Sequence, residues 1–488
     1  MFLSKVKNVF NKNSYIDIYA DLKNLSYGKA KKELNHITEK YGISAQKFLN
    51  DKLWAYDDLD ERIAENKKFD KAKQDSFKNY ANKADESEAK NAKKKAPAKS
   101  DDNGDASRVD QLVKKYPYLK AKLSLKVYIE KKLFEKSDEE IIAFFKAQDE
   151  KRNQDYARIM AETGWSRYKL TKDIKMARIL HGQSPVNYMI MEAWKKSHME
   201  LCSYARAFDS KYVTKTYNKK SGLPILRQKD RFAKEFSPFL KRKFWLNEEG
   251  ASYESFLEFI DGLDLIFCKP VNLFGGRGTE KYVLADEDPK ALYDYFMSKP
   301  KYICEECIKQ HDDLNKIYDG SINTLRIVAI RHEGQVKILD VLMRFGNGGI
   351  VDNFSEGGMA VHVNKETGVI DSDAFDEAAN SYEKHPISGI KFKGYQVPLW
   401  DKVLKLVEDA TSYRDDVGFA GWDVAISNED AMIVEGNNSP GFGLSQMPYI
   451  SKGEGRRFLF TDYIDPVLYK AELEISERLD KKEKRGRK

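Results

Sequence analysis

At 488 residues the chain is about three times the size of a usual single domain, so two or more domains with a sizeable core are expected. Hydrophobic residues make up 41% and charged residues 33%, a globular composition with a heavily solvated surface; four cysteines are too few for a disulfide framework, and no run approaches the roughly 20 apolar residues of a transmembrane helix. The 84 basic and 77 acidic residues leave a net charge of +7, much of it in the ending KKEKRGRK, which reads as a solvated tail able to brush anionic lipid; a nucleic-acid footprint would cluster on a folded face with interleaved aromatics.

The opening MFLSKVKNVFNKNSY is interrupted by Lys5, Lys7 and Lys12 and lacks the apolar core of a signal peptide. With so few cysteines, a cytoplasmic, reducing setting is the expectation. Residues 1–80 read as a helical unit with apolar spacings of three and four and with Ser44 and Asp58 as caps. Residues 81–107 (ANKADESEAKNAKKKAPAKSDDNGDAS) lack any large apolar side chain and read as a disordered charged linker.

A second helical region covers 108–225 and carries a faint echo of the first. YGISAQKFLNDKLW (41–54) and HGQSPVNYMIMEAW (181–194) share Gly42/Gly182, Ser44/Ser184 and Trp54/Trp194 at an offset of 140, consistent with either a duplicated module or chance. Beyond Leu223 glycine and proline become frequent and β-like runs appear: LIFCKP, EKYVLA, YICEECI, LRIVAIR, VKILDVLMRF, MAVHVN, GWDVAI and AMIVEG. Two helical stretches, DPKALYDYFMSK and PLWDKVLKLVEDATSY, are set among them. The spacing predicts an α+β domain over 226–470, built on antiparallel sheet and followed by a basic tail, 471–488.

Within it, GWDVAISNEDAMIVEGNNSPG reads as a hairpin turning through Asn428, Glu429 and Asp430. Centring the turn on Glu429 puts Asp423 opposite Glu435, with Asn437 on the same side. Facing carboxylates repel, so something positive must compensate them. Three oxygen side chains on one sheet face suit Mg²⁺; pairing of the two acids with Arg or Lys is the other reading.

Lys269 ends a strand before VNLFGGRG, whose Gly275, Gly276 and Gly278 could lay backbone N–H groups along phosphate oxygens, or simply make a Gly-rich hairpin. YICEECI carries Glu305 and Glu306 shortly before Asn323, Thr324 and Arg326 and could hydrogen-bond an adenine edge. Its Cys304-x-x-Cys307 lacks the second pair that a zinc site needs. Arg344 leads from a strand into a glycine-dense loop with Asp352, Asn353, Gly357 and Gly358, a binding loop rather than a solvated connection. His385 in HPISG reads as structural.

The order of these features, Lys then glycine loop, acidic strand, Arg-bearing strands and finally Asp with Glu-x-Asn, resembles the ATP-grasp superfamily. NTLRIVAI, VDNFSEGG, HPISG, GWDVAI and VEGNNSPGFG resemble its sugar-transfer-associated members, relatives of the α-L-glutamate ligases, over about residues 160–465. Gly182, Ser184 and Tyr188 also look like that group. The resemblance implies an α+β ATP-grasp fold, two subdomains around ATP, preceded by helical N-terminal regions.

It further implies that Lys269, the loop Gly275, Gly276, Arg277 and Gly278, the hinge Glu305, Glu306, Cys307 and Ile308, and Asn323 bind ATP. Arg326, Arg344 and Asn353 would serve catalysis, and Asp423, Glu435 and Asn437 would hold Mg²⁺. An upstream lysine is expected, with Lys229, Lys241 and Lys243 all open. The implied activity is a carboxylate–amine ligase working through an acyl phosphate and releasing ADP and phosphate, in sugar-conjugate or cell-surface glycan biosynthesis. Direct phosphoryl transfer to a sugar hydroxyl and a non-catalytic nucleotide-binding role are the alternatives. Small-molecule acid and amine or sugar substrates are the expected partners, with no specific nucleic acid, and the helical regions are where a homo-oligomer would form.

Overall fold

A computed structural model describes residues 15–64, 66 and 102–486, apart from 121, 125–126, 129–132, 134–135, 272–277, 350, 355–356, 378–379, 442 and 448–452. It divides into two compact units, Met1–Met176 and Ala177–Lys488. The first is helical: α1 (Tyr27–Tyr41), α2 (Ala45–Asn50), α3 (Asp102–Lys115), α4 (Asp138–Thr163) and the start of α5 (Arg167–His181). A reciprocal capping box between Ser137 and Glu140 starts α4, satisfying two otherwise orphaned amides. Leu112, Leu119, Leu133, Ile141 and Phe145 form a local core. Most of the expected linker lies outside the described residues, but its last part, from Asp102, already belongs to α3.

The echo at an offset of 140 is a repeat of local conformation. Asn24 and Gly164 are left-handed (φ 54° and 68°), Gly42 and Gly182 are left-handed (62° and 64°), and Lys52 and Glu192 are left-handed (61° and 47°). Ser44 and Ser184 each cap a six-residue helix, α2 and α6 (Pro185–Ile190), by accepting the N–H three residues on. A 3₁₀ turn then buries Trp54 in one copy and Trp194 in the other. The core positions correspond as well: Ala30/Leu170, Leu34/Ile174, Phe48/Tyr188 and Leu53/Ala193 are buried pairwise. Five matched backbone landmarks and a matched burial pattern are what a repeated helical module would show.

The second unit adds α7 (Lys229–Glu235), α8 (Tyr253–Ile260), α9 (Pro289–Met297), α10 (Trp400–Ser412) and α11 (Pro466–Gly486) to two antiparallel sheets. The smaller sheet has the order β1-β4-β2-β3, with β1 Phe244–Leu246, β2 Leu265–Pro270, β3 Glu280–Val283 and β4 Tyr302–Glu306. Phe256 and Phe259 of α8 and Leu292 and Phe296 of α9 cover it. The larger has the order β11-β10-β5-β6-β7-β8-β9: β5 Leu325–His332, β6 Gln335–Phe345, β7 Met359–His362, β8 Ala374–Phe375, β9 Ser381–Tyr382, β10 Phe419–Ile426 and β11 Ala431–Asn437. All eight predicted runs are strands and both predicted helices form; β1, β8 and β9 are two or three residues long, too short to leave a pattern.

Alternation divides the large sheet. Ile327, Ala329, Val341, Met343, Trp422 and Val424 pack under Val403, Leu406, Val407 and Ala410 of α10. The opposite face carries the charged residues of the site. Two predicted boundaries move. Residues 177–225 belong to the same unit as the sheets, because Arg206 and Asp209 are buried in an ion cluster with Arg457 and Glu472, and Asn218 bridges to Val417. The expected C-terminal tail from 471 is instead the body of α11, with Glu472, Ile475, Ser476 and Leu479 buried.

Candidate active site

Strand β10 is buried at all eight positions, as befits an interior strand of the sheet, and its Phe, Ala, Trp, Val and Ile content is broken only by Gly421 and Asp423. The turn into β11 is held by Ser427, whose Oγ accepts the amides of Glu429 (3.3 Å) and Asp430 (3.0 Å). Asp423 faces Glu435 as expected and Gly421 faces Asn437, but the turn itself pairs Ile426 with Ala431, and it is a bulge between Asp423 and Val424 that brings the outer pairs into this register. Glu435 and Asn437 therefore share a face with Asp423.

Two expectations for Asp423 are both met in part. It stands against Glu435, yet it is also paired: Arg326 reaches both its oxygens, through Nε to Oδ1 and Nη2 to Oδ2 (3.1 Å), and Arg344 Nη2 donates to Oδ2 at 3.0 Å. Burial pushes the Asp423 carboxyl up, but the two guanidiniums overcome this and hold it below the ordinary range. Glu435 goes the other way: burial and then the neighbouring Asp423 charge push its carboxyl up. The pair thus behaves as one held anion beside one carboxyl that resists ionisation until a cation arrives. Three hard oxygen donors, two of them mutually repelling, fit a magnesium ion that keeps water and phosphate ligands. Among the described residues no group of three or more His, Cys, Asp or Glu is placed to hold a metal ion by itself.

Arg344 also donates to Thr324 Oγ1 through Nε (3.2 Å) and Nη2 (2.6 Å), and Thr324 in turn binds Asp352 Oδ2 through its amide (2.9 Å) and hydroxyl (2.5 Å). Asn353 follows Asp352, and its carbonyl accepts the Gly358 amide at 3.1 Å. A Cβ on Gly358 would lie 2.5 Å from Asp352 O, so this loop closure requires glycine. Asn323 is placed differently from the expectation. It is buried with its amide on Tyr318 O (2.7 Å) and its Oδ1 accepting Gly346 N–H (3.3 Å), a loop-anchoring role away from the cleft. His385, stacked on Tyr318 with Nε2 2.9 Å from Gly346 O, is structural as expected.

Between the sheets lies a cleft of about 320 Å³ whose lining includes Phe267, Lys269, Lys281, Glu306, Cys307, Ile308, Thr324 and Asp352. Of the expected hinge Glu305 to Ile308, all four residues line this cleft, and Cys307 and Ile308 lie just beyond the end of β4. Glu305 does not face a ligand as a free acceptor: it is buried and clamped by Arg242 (Nε 3.0 Å) and Lys269 (Nζ 2.5 Å), which overcome the burial penalty and hold its carboxyl at about 2. Arg242 left no signal in the sequence, being one cation in a basic run. Cys304 points into the small-sheet core across from Cys268, whereas Cys307 is only partly buried. The Cys-x-x-Cys spacing therefore splits across two environments. Gly278 is left-handed (φ 69°); Gly275, Gly276 and Arg277 lie outside the described residues.

The structure separates the three candidate lysines. Lys241 pairs with Asp430 at the hairpin turn (2.6 Å) and Lys243 donates to Asp261 O on the surface (2.8 Å). Lys229, at the start of α7, joins Lys269, Glu305, Glu435 and Asn437 around one small cavity. Burial lowers its ammonium pKa, Glu435 opposes that, and Lys269 reinforces it. Two lysines converging on two acids and an asparagine form an arrangement able to hold a polyphosphate and its cation.

Residues 289–456 match the family model described as sugar-transfer associated ATP-grasp. No curated protein sequence matches the chain. Among solved structures, similarity is found to the ATP-grasp ligase PsnB complexed with a phosphomimetic variant of its minimal precursor, Mg and ADP (13% identity, 53% of this chain and 62% of that one, TM-score 0.30). D-alanyl-alanine synthetase A from Vibrio cholerae (12%, 51% and 66%, 0.31) and D-alanine–D-alanine ligase from Bacillus anthracis (15%, 55% and 72%, 0.30) are similar at the same level. The chain spans less than two thirds of the length of the first two. Over residues 289–456, in a unit built on two antiparallel sheets, the chain is thus similar to the sugar-transfer associated ATP-grasp family.

Proposed function

We propose that the second unit is an ATP- and Mg²⁺-dependent carboxylate–amine ligase that acts through an acyl phosphate, releases ADP and phosphate, and serves sugar-conjugate or cell-surface glycan biosynthesis in the cytoplasm. The observation that carries this reading is the facing pair Asp423 and Glu435, with Asn437 beside them, set between the arginines Arg326 and Arg344 and the lysines Lys229 and Lys269 at the mouth of the inter-sheet cleft. Among the described residues no helix is long and apolar enough to cross a membrane.

The adenine would lie along Glu306 to Ile308, where the chain leaves β4 along the cleft. Lys229 and Lys269 would take phosphate oxygens. When bound, magnesium would be held by Asp423, Glu435 and Asn437 and would supply neutralisation of charge on the phosphates. Arg344, fixed by Thr324 and Asp423, and Arg326 would steady the γ-phosphate or the acid substrate, so that two anions are held in line without an enzyme nucleophile. Asn353 and the Gly358 closure would shape the substrate side.

A screen of acids with amines for stimulated release of ADP and phosphate, followed by mass spectrometry of the product, tests the proposal. AMP and pyrophosphate as products would refute it, and a stable phosphoester seen by phosphorus NMR would assign the fold to phosphoryl transfer instead.

A further inference from the structure

Past Arg344 the chain enters the glycine-dense connection between β6 and β7, and Asp352 in that connection is held by one oxygen only. Its Oδ2 accepts the Thr324 amide (2.9 Å) and hydroxyl (2.5 Å), and Arg344 Nε stands 3.6 Å from the same atom. Among the described residues nothing donates to Oδ1, nor is that oxygen sealed from solvent. The side chain keeps 13% of its surface exposed, and the residue lines the cleft of about 320 Å³ together with Ile322 and Val351. A carboxylate oxygen without a donor is thus held at an open cavity, its partner oxygen fixed by two hydrogen bonds.

Arg344 fixes which end of the cleft this is. Its guanidinium donates to Asp423 Oδ2 through Nη2 (3.0 Å) and stands by Asp352 through Nε, so one side chain separates Asp352 from the acid of the expected metal site. The expected hinge belongs to β4 of the other sheet. Asp352 therefore sits where the phosphates of a bound nucleotide would react, away from its base. In the ligase reading three groups meet at that end: the γ-phosphate, the acid and the amine. The first two are anions suited to the arginines and lysines, whereas a carboxylate in their midst repels them and attracts an ammonium. Burial pushes the Asp352 carboxyl up, against the pull of Arg344 and Thr324 and with Asp423 adding to the rise, so it takes a proton more readily than an ordinary aspartate.

We infer that Asp352 receives the amine substrate on Oδ1 and takes a proton from its ammonium as the nitrogen attacks the acyl phosphate. The C–N bond forms while the C–O bond to the phosphoryl group breaks. Phosphate leaves with the bonding electron pair and takes the second proton that the nitrogen sheds, and Asp352 releases its own to solvent. Thr324 holds the carboxylate in place through Oδ2, leaving Oδ1 for the substrate. The inference rests on the proposed ligase reading for the reaction, but recognition of the ammonium does not need it.

Saturation-transfer NMR on the full chain tests this, with cyclohexylamine, alanine amide and glucosamine as probes and cyclohexanol and cyclohexanecarboxylate as controls, each with and without magnesium and a non-hydrolysable ATP analogue. At least one amine should receive saturation and the controls none. Asp352→Asn, whose carbonyl oxygen can still accept from Thr324, should weaken that amine about tenfold, the loss of one charge-assisted hydrogen bond, while nucleotide affinity stays within about twofold of the parent. Asp319→Asn, at an exposed acid lining the same cleft, should keep the parental amine affinity. Binding of none of the amines, parental amine affinity in Asp352→Asn, or an equal loss in Asp319→Asn would overturn the inference; so would loss of nucleotide affinity in step with amine, which would give Asp352 to the ribose. Should Asp352→Asn lose its cooperative melt, the parental chain decides: nuclear Overhauser contacts between the bound amine and the Val351 methyls uphold the site, and their absence overturns it. With an acid that supports turnover, Asp352→Asn should lower kcat for the amine about 100-fold, whereas hydroxylamine, uncharged at neutral pH, should stay within about threefold of the parent. An equal fall for both would overturn the proton transfer. Amine binding that depends on Asp352 in a chain that turns over no acid would uphold this site and refute the ligase proposal.

Discussion

Replacing Glu435 with Gln should stabilise the protein while disabling it. In the structure Glu435 stands directly across the strand pair from Asp423, and burial together with that negative neighbour pushes its carboxyl above the ordinary value of 4.5. Like charges directly opposite cost up to about 1 kcal/mol in an exposed sheet, and a buried pair costs more. The amide removes this repulsion and can donate to Asp423. For a unit of this size the gain corresponds to about 1 to 3 °C in melting temperature in magnesium-free buffer. The sign fixes the pH dependence: a carboxyl raised in the folded state lowers stability only where it is ionised. The advantage of Glu435→Gln therefore opens as pH rises past the ordinary glutamate range and is complete above the raised value.

Magnesium with a nucleotide analogue should reverse the order. Ligand at 100 times its dissociation constant stabilises the parent by about 2.7 kcal/mol, whereas the variant, short of one anionic donor, should gain much less. Differential scanning fluorimetry across pH, with and without magnesium, reads both effects. A lower melting temperature for Glu435→Gln without metal, or an equal gain from magnesium in both proteins, would refute the argument from facing carboxylates.

Glu305→Gln should destabilise by about 3 kcal/mol near neutrality, the gap between a carboxyl held at about 2 and its ordinary value of 4.5. That contribution is present above the ordinary value and disappears as pH falls through about 2, so denaturant titrations of the two proteins should converge in acid. Lys229→Met should weaken ATP binding about 10- to 100-fold in isothermal titration, the effect of losing one charge-assisted phosphate contact, with Lys241→Met and Lys243→Met close to parental. A maleimide should label Cys307 ahead of Cys202, Cys268 and Cys304, slowly because burial raises its thiol pKa, and ATP should protect it; peptide mapping by mass spectrometry reads the site.

Much of the candidate site was legible because it lies on local pattern. Centring the hairpin on Glu429 paired Asp423 with Glu435 and put Asn437 on the same side; the observed turn pairs Ile426 with Ala431, and the expected pair is reached through a bulge. The repeat was legible in Gly42/Gly182 and Ser44/Ser184 for a similar reason: a left-handed helix end and an N-cap each demand a particular residue type. The same arithmetic slipped beyond Asp423, where a bulge moves the partner of Val424 to Ile433, because nothing in the residues marks a bulge. The loop-anchoring bonds of Asn323 to Tyr318 and Gly346 were not legible, because a polar side chain between two strands reads identically whether it faces ligand or anchors loops.

The amino-acid order by itself determined the strands, the two lysine- and arginine-bearing segments and the facing acids, all set by contacts within a few tens of residues. Only the tertiary structure decided who neutralises whom. Arg242 and Lys269 converge on Glu305, Arg326 and Arg344 on Asp423, and Lys229 rather than Lys241 or Lys243 reaches Glu435. Charge pairing acts through space over a few ångströms, and those ångströms join residues up to about 200 positions apart, so no local pattern records it.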